Sequence, residues 1–511
     1  MTSLHRYLLC ALASVLTAAF ANADEPALRL SLDDAVRLAL AQNLTIQTQR
    51  IDPQIRDLSV AQARGAWTPA FQTTFSGGTS NVPSTSIFAG AQGTLTVDQF
   101  NGAVGASQLL PWGASYGVGW NNARVRSNSP FDTPNPAVLS TLTGSYVQPL
   151  LKDFRIDGAR QQLRLMKASR DMSDIQMEQT ILGTIRSVKI AYWALAYATS
   201  SLAVRRQSLD LARDSLRVSR ARLRAGMMAP VDIAEVESEV AQREEAVIVA
   251  EAAIGRAEDR LRALILDPAA PDFWTAKLEL SDPAAGAALH PVDVNAAVRN
   301  AMTARTDLRS ARKGIDAIDV NTEFARNQRL PDVRAAVGYT LAGQGGTARQ
   351  FGSGFPPSVV GQRDIGYASA LNSLFGSSAP SWSVSLTVGY PIGAAAANAA
   401  VARATLERTQ ALGRIRNLEL QIAAEVRDAG RQVNANAKRI EATAAARVLA
   451  ERRLEAEEKR FAAGMSTAFV VFQAQRDLTQ ARNAELRAVL DYKTSIVEFE
   501  SIQATPSKEE L

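Results

Sequence analysis

The chain has 511 residues, 56 Lys and Arg against 51 Asp and Glu, a formal net charge of +5, two histidines and one cysteine. The cysteine and one histidine, Cys10 and His5, lie at the extreme N-terminus, so thiolate nucleophiles, disulfides, Cys/His zinc sites and the commonest general base are nearly excluded by inventory. Basic residues interleave with acidic ones, as in Arg205, Arg206, Asp210, Arg213, Asp214 and Arg217; that suits solvated helix faces and not a nucleic-acid surface.

At the start, His5 and Arg6 precede an apolar run from Tyr7 to Phe20 and the small-residue exit Ala21-Asn22-Ala23. This predicts a secretory signal peptide over 1–23, with the mature chain beginning near Asp24. Removing Arg6 takes the charge from +5 to +4, and Cys10 leaves with the peptide. The remaining histidine, His290, stands beside Pro291 in a loop-like stretch and reads as a solvated surface residue. No later segment has eighteen uninterrupted apolar residues; any membrane insertion must therefore be as a barrel.

The sequence repeats internally. Ala35-Val36-Arg37, Ile46 and Pro69 realign with Ala297-Val298-Arg299, Leu308 and Pro331 at an offset of 262. Leu202, Leu211, Leu216, Gly226 and Gln242 realign with Ile440, Leu449, Leu454, Gly464 and Gln480 at an offset of 238. Each half reads as a helix, a β-rich section, a very long helix, a glycine turn and a shorter helix. The predicted sections are a first helix in 24–66, a β section over 67–150 and a coiled-coil hairpin over 151–266. A breaker-rich equatorial connection over 267–293 follows, holding Phe273 and Trp274. The second half has its opening helix over 294–330, a β section over 331–392 and a hairpin over 393–500, and a tail over 501–511 ends the chain.

The long stretches, 152–225 and 393–463, are rich in Ala, Leu, Arg, Glu and Gln. Ile181, Val188, Leu195, Leu202, Leu209, Leu216 and Leu223 recur every seventh residue, which predicts coiled-coil packing, with Ala191, Ala198 and Ala212 letting helices approach. The stretches 31–66, 231–266, 294–329 and 466–500 are each half as long. Two of them end to end equal one long helix of roughly 110 Å at 1.5 Å per residue, and a hollow cylinder fits this arithmetic better than a globule.

Between helices the period changes to two. Trp382, Val384, Leu386, Val388 and Tyr390 alternate with serine, threonine and glycine; Val333, Ala335, Val337, Tyr339 and Leu341 alternate likewise, as do Ala114, Tyr116, Val118 and Trp120. Lipid on one side and water on the other produce this pattern in strands of about ten residues, although a soluble sandwich gives it too. Trp67, Trp112, Trp120 and Trp382 fall in or beside these strands, where interface girdles are expected. Trp193 reads as helix packing. The stretches 76–98 and 342–380, rich in Gly, Ser, Pro and Asn, read as exposed loops.

In this order and duplication the chain resembles the TolC-like outer-membrane efflux family. The motifs are Leu30-Ser31-Leu32-Asp33-Asp34-Ala35 with Gln42-Asn43, then Trp67-Thr68-Pro69 and Gln148-Pro149-Leu150-Leu151, then the turns Arg222 to Gly226 and Arg460 to Gly464. The resemblance implies a mainly α fold with a membrane β section: a homotrimer whose protomers give four strands each to one twelve-stranded barrel and helices to an α-barrel tunnel. It implies an outer-membrane channel reaching into the periplasm, passive and without catalytic residues, metal or cofactor. Energy comes from an inner-membrane pump of RND, ABC or MFS type through a periplasmic adaptor (membrane fusion) protein. Arg222, Gly226, Arg460 and Gly464 are then the adaptor-docking tips. A periplasmic coiled-coil scaffold or adaptor without a pore is the alternative.

Two departures from the family pattern stand out. The first β section holds an additional alternating pair, near 99–109 and 112–122, with no counterpart in the second half; it either enlarges the barrel or extends its mouth. Family members often carry two aspartates six and nine residues past the second tip glycine, where this chain has Val470 and Gln473. The first-half equivalents are Asp232 and Glu235, which either line the pore mouth or cap and solvate the helix after Pro230.

Overall fold

The structure, a computed structural model, describes residues 28–83, 93–271, 273–282, 291–354 and 358–503. The signal peptide over 1–23, His290 and the tail beyond 503 lie outside them. The elements in the first half are β1 (Leu28–Leu30), α1 (Leu32–Gln42), α2 (Leu44–Gln49), α3 (Ile51–Arg64), β2 (Ala70–Pro83), β3 (Thr94–Leu109), β4 (Ser115–Ser127), β5 (Ala137–Pro149), α4 (Gly158–Arg224) and α5 (Pro230–Ile265). After β6 (Leu278–Leu280) come α6 (Val294–Ala304), α7 (Thr306–Gln328), β7 (Asp332–Phe351), β8 (Val359–Asp364), α8 (Gly366–Phe375), β9 (Pro380–Gly389), α9 (Ala395–Ala462) and α10 (Ala468–Gln503). The chain divides into two compact units, one of Met1–Pro53, Ser173–Arg312 and Arg414–Leu511, the other of Gln54–Met172 and Lys313–Gly413.

The first unit is helical. Its heptad row is its core: Ile181, Val188, Leu195, Leu202 and Leu209 are buried, and Ala191 and Ala212 are closed off completely. Small side chains every seventh residue let neighbouring helices approach where a larger residue would hold them apart. α4 and α9 run 67 and 68 residues, and α5 and α10 are 36 residues each. No described helix is long and apolar enough to cross a membrane.

The opening stretches are not single helices. The first breaks at Asn43, whose side chain accepts hydrogen bonds from the Thr45 and Ile46 amides and so caps a new helix. The second breaks at Arg305, the position 262 residues on, whose guanidinium binds Asp307 and Glu425. The breaks let Ala35, Ala39 and Ile46 in one half, and Ala297, Ala301 and Leu308 in the other, all turn into cores.

The equatorial stretch contributes β6, which pairs in parallel with β1, Leu28 opposite Leu278. Tyr192 locks this pair. Its hydroxyl donates to the Asp282 carboxylate (2.7 Å) and lies 3.1 Å from the Leu30 carbonyl. Burial, then the Asp282 hydrogen bond, pushes its phenol well above the usual range. Phe273 is buried and meets the exposed Trp274 edge-on at 4.7 Å; Trp193 packs edge-on with Tyr192 and under the Lys493 ammonium.

The second unit carries the sheet. Among the described residues it has seven strands, in the order β2-β3-β4-β5-β7-β8 with β9 also on β7, where the resemblance implied four. All these pairings are antiparallel. β8 pairs only with Thr347–Phe351 of β7, beyond the Asp332–Leu341 part that pairs with β9. The expectation of exposed loops fails for much of both places, 84–92 lying outside the described residues. β2 continues to Pro83, and 342–380 holds the end of β7, β8 and α8. The glycines that suggested a loop are a seat: a Cβ on Gly343 or Gly345 would run into the backbone of α8 at Ala370 or Gly366.

Candidate functional site

The sheet sorts its side chains by face, because partners directly opposite in an antiparallel pair point the same way. One pairing row runs Phe71, Ala106, Val118, Gly144, Tyr339, Trp382 across β2, β3, β4, β5, β7 and β9. The next row on the same face is Thr73, Val104, Trp120, Leu142, Leu341, Pro380. Between them, on the opposite face, run Gln72, Gly105, Gly119, Thr143, Thr340 and Ser381. In these rows one face is thus mainly aliphatic and aromatic, Thr73 and Gly144 apart, and the other polar or small, through the additional β3–β4 pair as well; farther along, the row Phe75, Gly102, Asn122, Ser140, Gly343 is mixed. The apolar face is bare: Phe71, Phe75, Trp382, Val384, Leu386 and Val388 are all exposed. It spans Trp382 to Val388 on β9 but Phe71 to Phe75 on β2, oblique to the pairing rows, as strands tilted in a barrel wall require.

The four tryptophans occupy two levels. Trp67, in the turn before β2, and Trp112, in the turn joining β3 to β4, lie at the end of the sheet where β2 begins. Trp120 and Trp382 stand farther along, on the apolar face, and the Trp120 indole donates to the Ser140 hydroxyl (2.8 Å).

The two helical turns share one geometry. Gly226 and Gly464 both have φ +74°. The Gly226 amide donates to the Leu223 carbonyl and that of Met227 to Arg222; Gly464 pairs with Phe461 and Met465 with Arg460 in the same way. These are Schellman caps, and only glycine takes the left-handed residue without strain. Met227 and Met465 are each 73% exposed, and Val231 and Phe469, also matched across the repeat, are exposed too. Arg222 lies over the Phe461 ring at 4.0 Å, tying one turn to the other, whereas Arg460 binds Glu457.

Asp232 and Glu235 are exposed in the first two turns of α5, while on α10 Val470 is half-buried and Gln473 exposed. Asp232 and Glu235 lie three residues apart on α5, as Val470 and Gln473 do on α10. The structure gathers other residues. Glu239 is buried on α5, accepts from Arg243 (2.9 Å) one turn on, and accepts from Arg476 of α10 (2.9 Å). Arg243 also donates to the Ser208 carbonyl and hydroxyl, and that hydroxyl meets Thr479. This network joins α4, α5 and α10. The sequence held a signal for it: Glu239 and Arg243 share a stripe with Val236, Val240 and Val247, which the core needs.

The family model for outer membrane efflux proteins matches residues 113–265 and 297–502. The chain belongs to that family. It is an outer-membrane channel subunit of an efflux system and extends into the periplasm. Members are transport channels that form trimers and work with adaptor and inner-membrane pump proteins. Among solved structures the chain is similar to the outer-membrane channel OprN, at 16% identity over 93% of this chain and 90% of that one, TM-score 0.65. It is similar to CusC, at 14% identity over 96% of each, TM-score 0.65, and to the Campylobacter jejuni outer membrane channel CmeC, at 14% over 92% and 85%, TM-score 0.62. At such identities the likeness is one of fold. No curated protein matches the sequence. Nothing found favours the pore-less scaffold.

Proposed function

We propose that this efflux channel subunit works as a homotrimer in which the sheets of the protomers close a transmembrane barrel. The apolar face with its tryptophans meets lipid and the polar face lines a water-filled lumen. One observation carries the reading: in the rows that run through all six strands, one face of the sheet is mainly apolar and the other is polar or small. The matched lengths of α4 with α9 and α5 with α10, and the twin glycine turns, support a duplicated helical part that surrounds the periplasmic continuation.

The tips at Arg222–Gly226 and Arg460–Gly464, with the exposed Met227 and Met465, dock the periplasmic adaptor, which links the channel to an inner-membrane pump of RND, ABC or MFS type. Asp232 and Glu235 ring the periplasmic mouth. Val470 and Gln473 leave that mouth less acidic than paired aspartates would, so multivalent cations plug it weakly. Mass measurement of detergent-extracted protein and recording in planar bilayers test the reading together: a trimer that conducts is expected, and a well-folded, non-conducting monomer would end it. With a trivalent cation on the periplasmic side, weak block is expected, weaker still in Asp232→Asn. Tight block that survives loss of both Asp232 and Glu235 would move the constriction elsewhere.

A further inference from the structure

We infer that β2 and β9 form an intermolecular seam, β9 of each protomer pairing with β2 of a second copy of this chain. Three copies of six wall strands then close an eighteen-stranded barrel in place of twelve. The inference rests on the trimeric membrane-channel reading and settles what the β3–β4 pair does in it.

That pair belongs to the wall. β3 is paired along its length with β2 on one side and β4 on the other, and β4 with β5 from Ser115 to Val125. A hairpin standing clear of the mouth would have neighbours on neither side. It would also have no reason to share faces with the strands around it, yet Val104, Ala106, Val118 and Trp120 continue the apolar rows, and Asn101, Ala103, Gly105, Gly119 and Asn121 the polar ones. β8 adds no seventh wall strand, since it takes up β7 only beyond the stretch paired with β9.

The path of six then ends on two bare edges. Every residue of β2 and of β9 is exposed in the single chain. In lipid, each unpaired backbone group on such an edge costs several kcal/mol. The two edges cannot meet within one chain, since four strands separate them and the smallest membrane barrels need eight. They do suit each other across chains. Each step along the path is antiparallel, so β2 and β9, five steps apart, run in opposite directions, and a copy added edge to edge continues the antiparallel order without a break. A strand pair is the smallest insertion that preserves this; a single added strand would reverse one edge. Because diameter grows roughly linearly with strand number, the membrane lumen is about 1.5-fold wider than a twelve-stranded one.

The test uses engineered cysteines in the full-length protein, in outer membranes, since the sequence holds no cysteine beyond Cys10. Pairs drawn from Gln72→Cys, Thr74→Cys and Ser76→Cys on β2 and Ser381→Cys, Ser383→Cys and Ser385→Cys on β9 are oxidised and run on a denaturing gel. At least one pair is expected to give a covalent trimer, while no single variant gives more than a dimer. Four further variants probe the hairpin: Asn101→Cys and Asn121→Cys are expected to react with a membrane-impermeant maleimide, Val104→Cys and Val118→Cys only with a lipid-soluble one. A conducting trimer in which no β2–β9 pair cross-links, or in which all four hairpin positions react from water, would overturn the eighteen-stranded wall and leave the channel reading standing. Unaltered protein that neither trimerises nor conducts would overturn both.

Discussion

The helical hairpins of this chain match in length, 67 and 36 residues against 68 and 36, and share the same glycine cap, whereas its β sections do not match. The first has four strands, and the second has β7, the short β8 and β9, with α8 packed on β7. The difference follows from what each part must match. Coiled-coil helices pack side by side, and an insertion in one throws every later knob out of its hole. A sheet accepts new strands at the cost of local pairing alone, provided they come two at a time.

The likeness of the hairpins breaks at one buried spot, and the largest effect is expected there. Glu239 corresponds in the repeat to Asp477, but Glu239 is buried between Arg243 and Arg476 whereas Asp477 holds only a surface pair with Arg453. Glu239→Ala leaves Arg243 buried without its partner and should cost about 3–5 kcal/mol. Asp477→Ala should cost about 0.2–1 kcal/mol. Chemical unfolding followed by helical circular dichroism measures both, and equal losses would mean that the two hairpins are energetically alike.

The two faces of the sheet give the next effect. Leu386→Arg puts a charge on the apolar face and should cost about 2–4 kcal/mol of folding in lipid. Ser385→Arg, its neighbour on the polar face, should fold almost normally and shift the channel toward anions. Refolding into vesicles and reversal-potential measurements separate them; the opposite ranking would exchange lumen and lipid.

At the tips, a Cβ added at Gly226 or Gly464 would meet no neighbouring atom, so the penalty of Gly226→Val and Gly464→Val is chiefly left-handed strain, roughly 1–3 kcal/mol at each. Export should fall in both variants while trimers persist. If only one variant loses export and adaptor cross-linking, the twin turns do different jobs.

The smallest effect separates the opening helices. Ser31 caps α1, and Asp293, at the same repeat position, caps α6. The Ala296 amide, then that of Asn295, holds the Asp293 carboxyl below its usual 3.8. A depressed carboxyl stabilises the fold above its unfolded pKa, and that share is lost as pH falls below about 3.8 and through the folded value. Amide-exchange protection at Asn295 and Ala296, taken relative to the intrinsic rate at each pH, should therefore fall in acid and do so less in Asp293→Asn. The Asp34 amide, bonded to the Ser31 hydroxyl, should change less, although Asp34 is itself held low by Ser31.

What could be read beforehand followed how local the cause was. The heptad row at Ile181 to Leu209, the tips at Gly226 and Gly464 and the alternation at Trp382 to Val388 are each written in consecutive residues, and all were legible. The break at Asn43 was legible in principle, since asparagine caps helices, but the 3.6-residue pattern continues across it and masks the stop. The stretch 342–380 misled because Gly343 and Gly345 answer to a helix more than twenty residues later. Of the Glu239–Arg243–Arg476 network only half was legible: Glu239 and Arg243 share the apolar stripe of α5, but Arg476 lies on another helix, and salt bridges on a helix look alike until tertiary packing buries one of them.

The parallel pair β1–β6 bears on time as well as on space. Leu28 meets Leu278 across 250 residues, so the first strand to emerge waits for almost the whole first half before it finds its partner. β6 precedes α6, however, and the clasp with Tyr192 and Asp282 is complete before any of the second half is required. An exported chain can thus fasten its first half while the second is still being threaded across the inner membrane. It then carries a finished template, not a loose end, to the copies it must join.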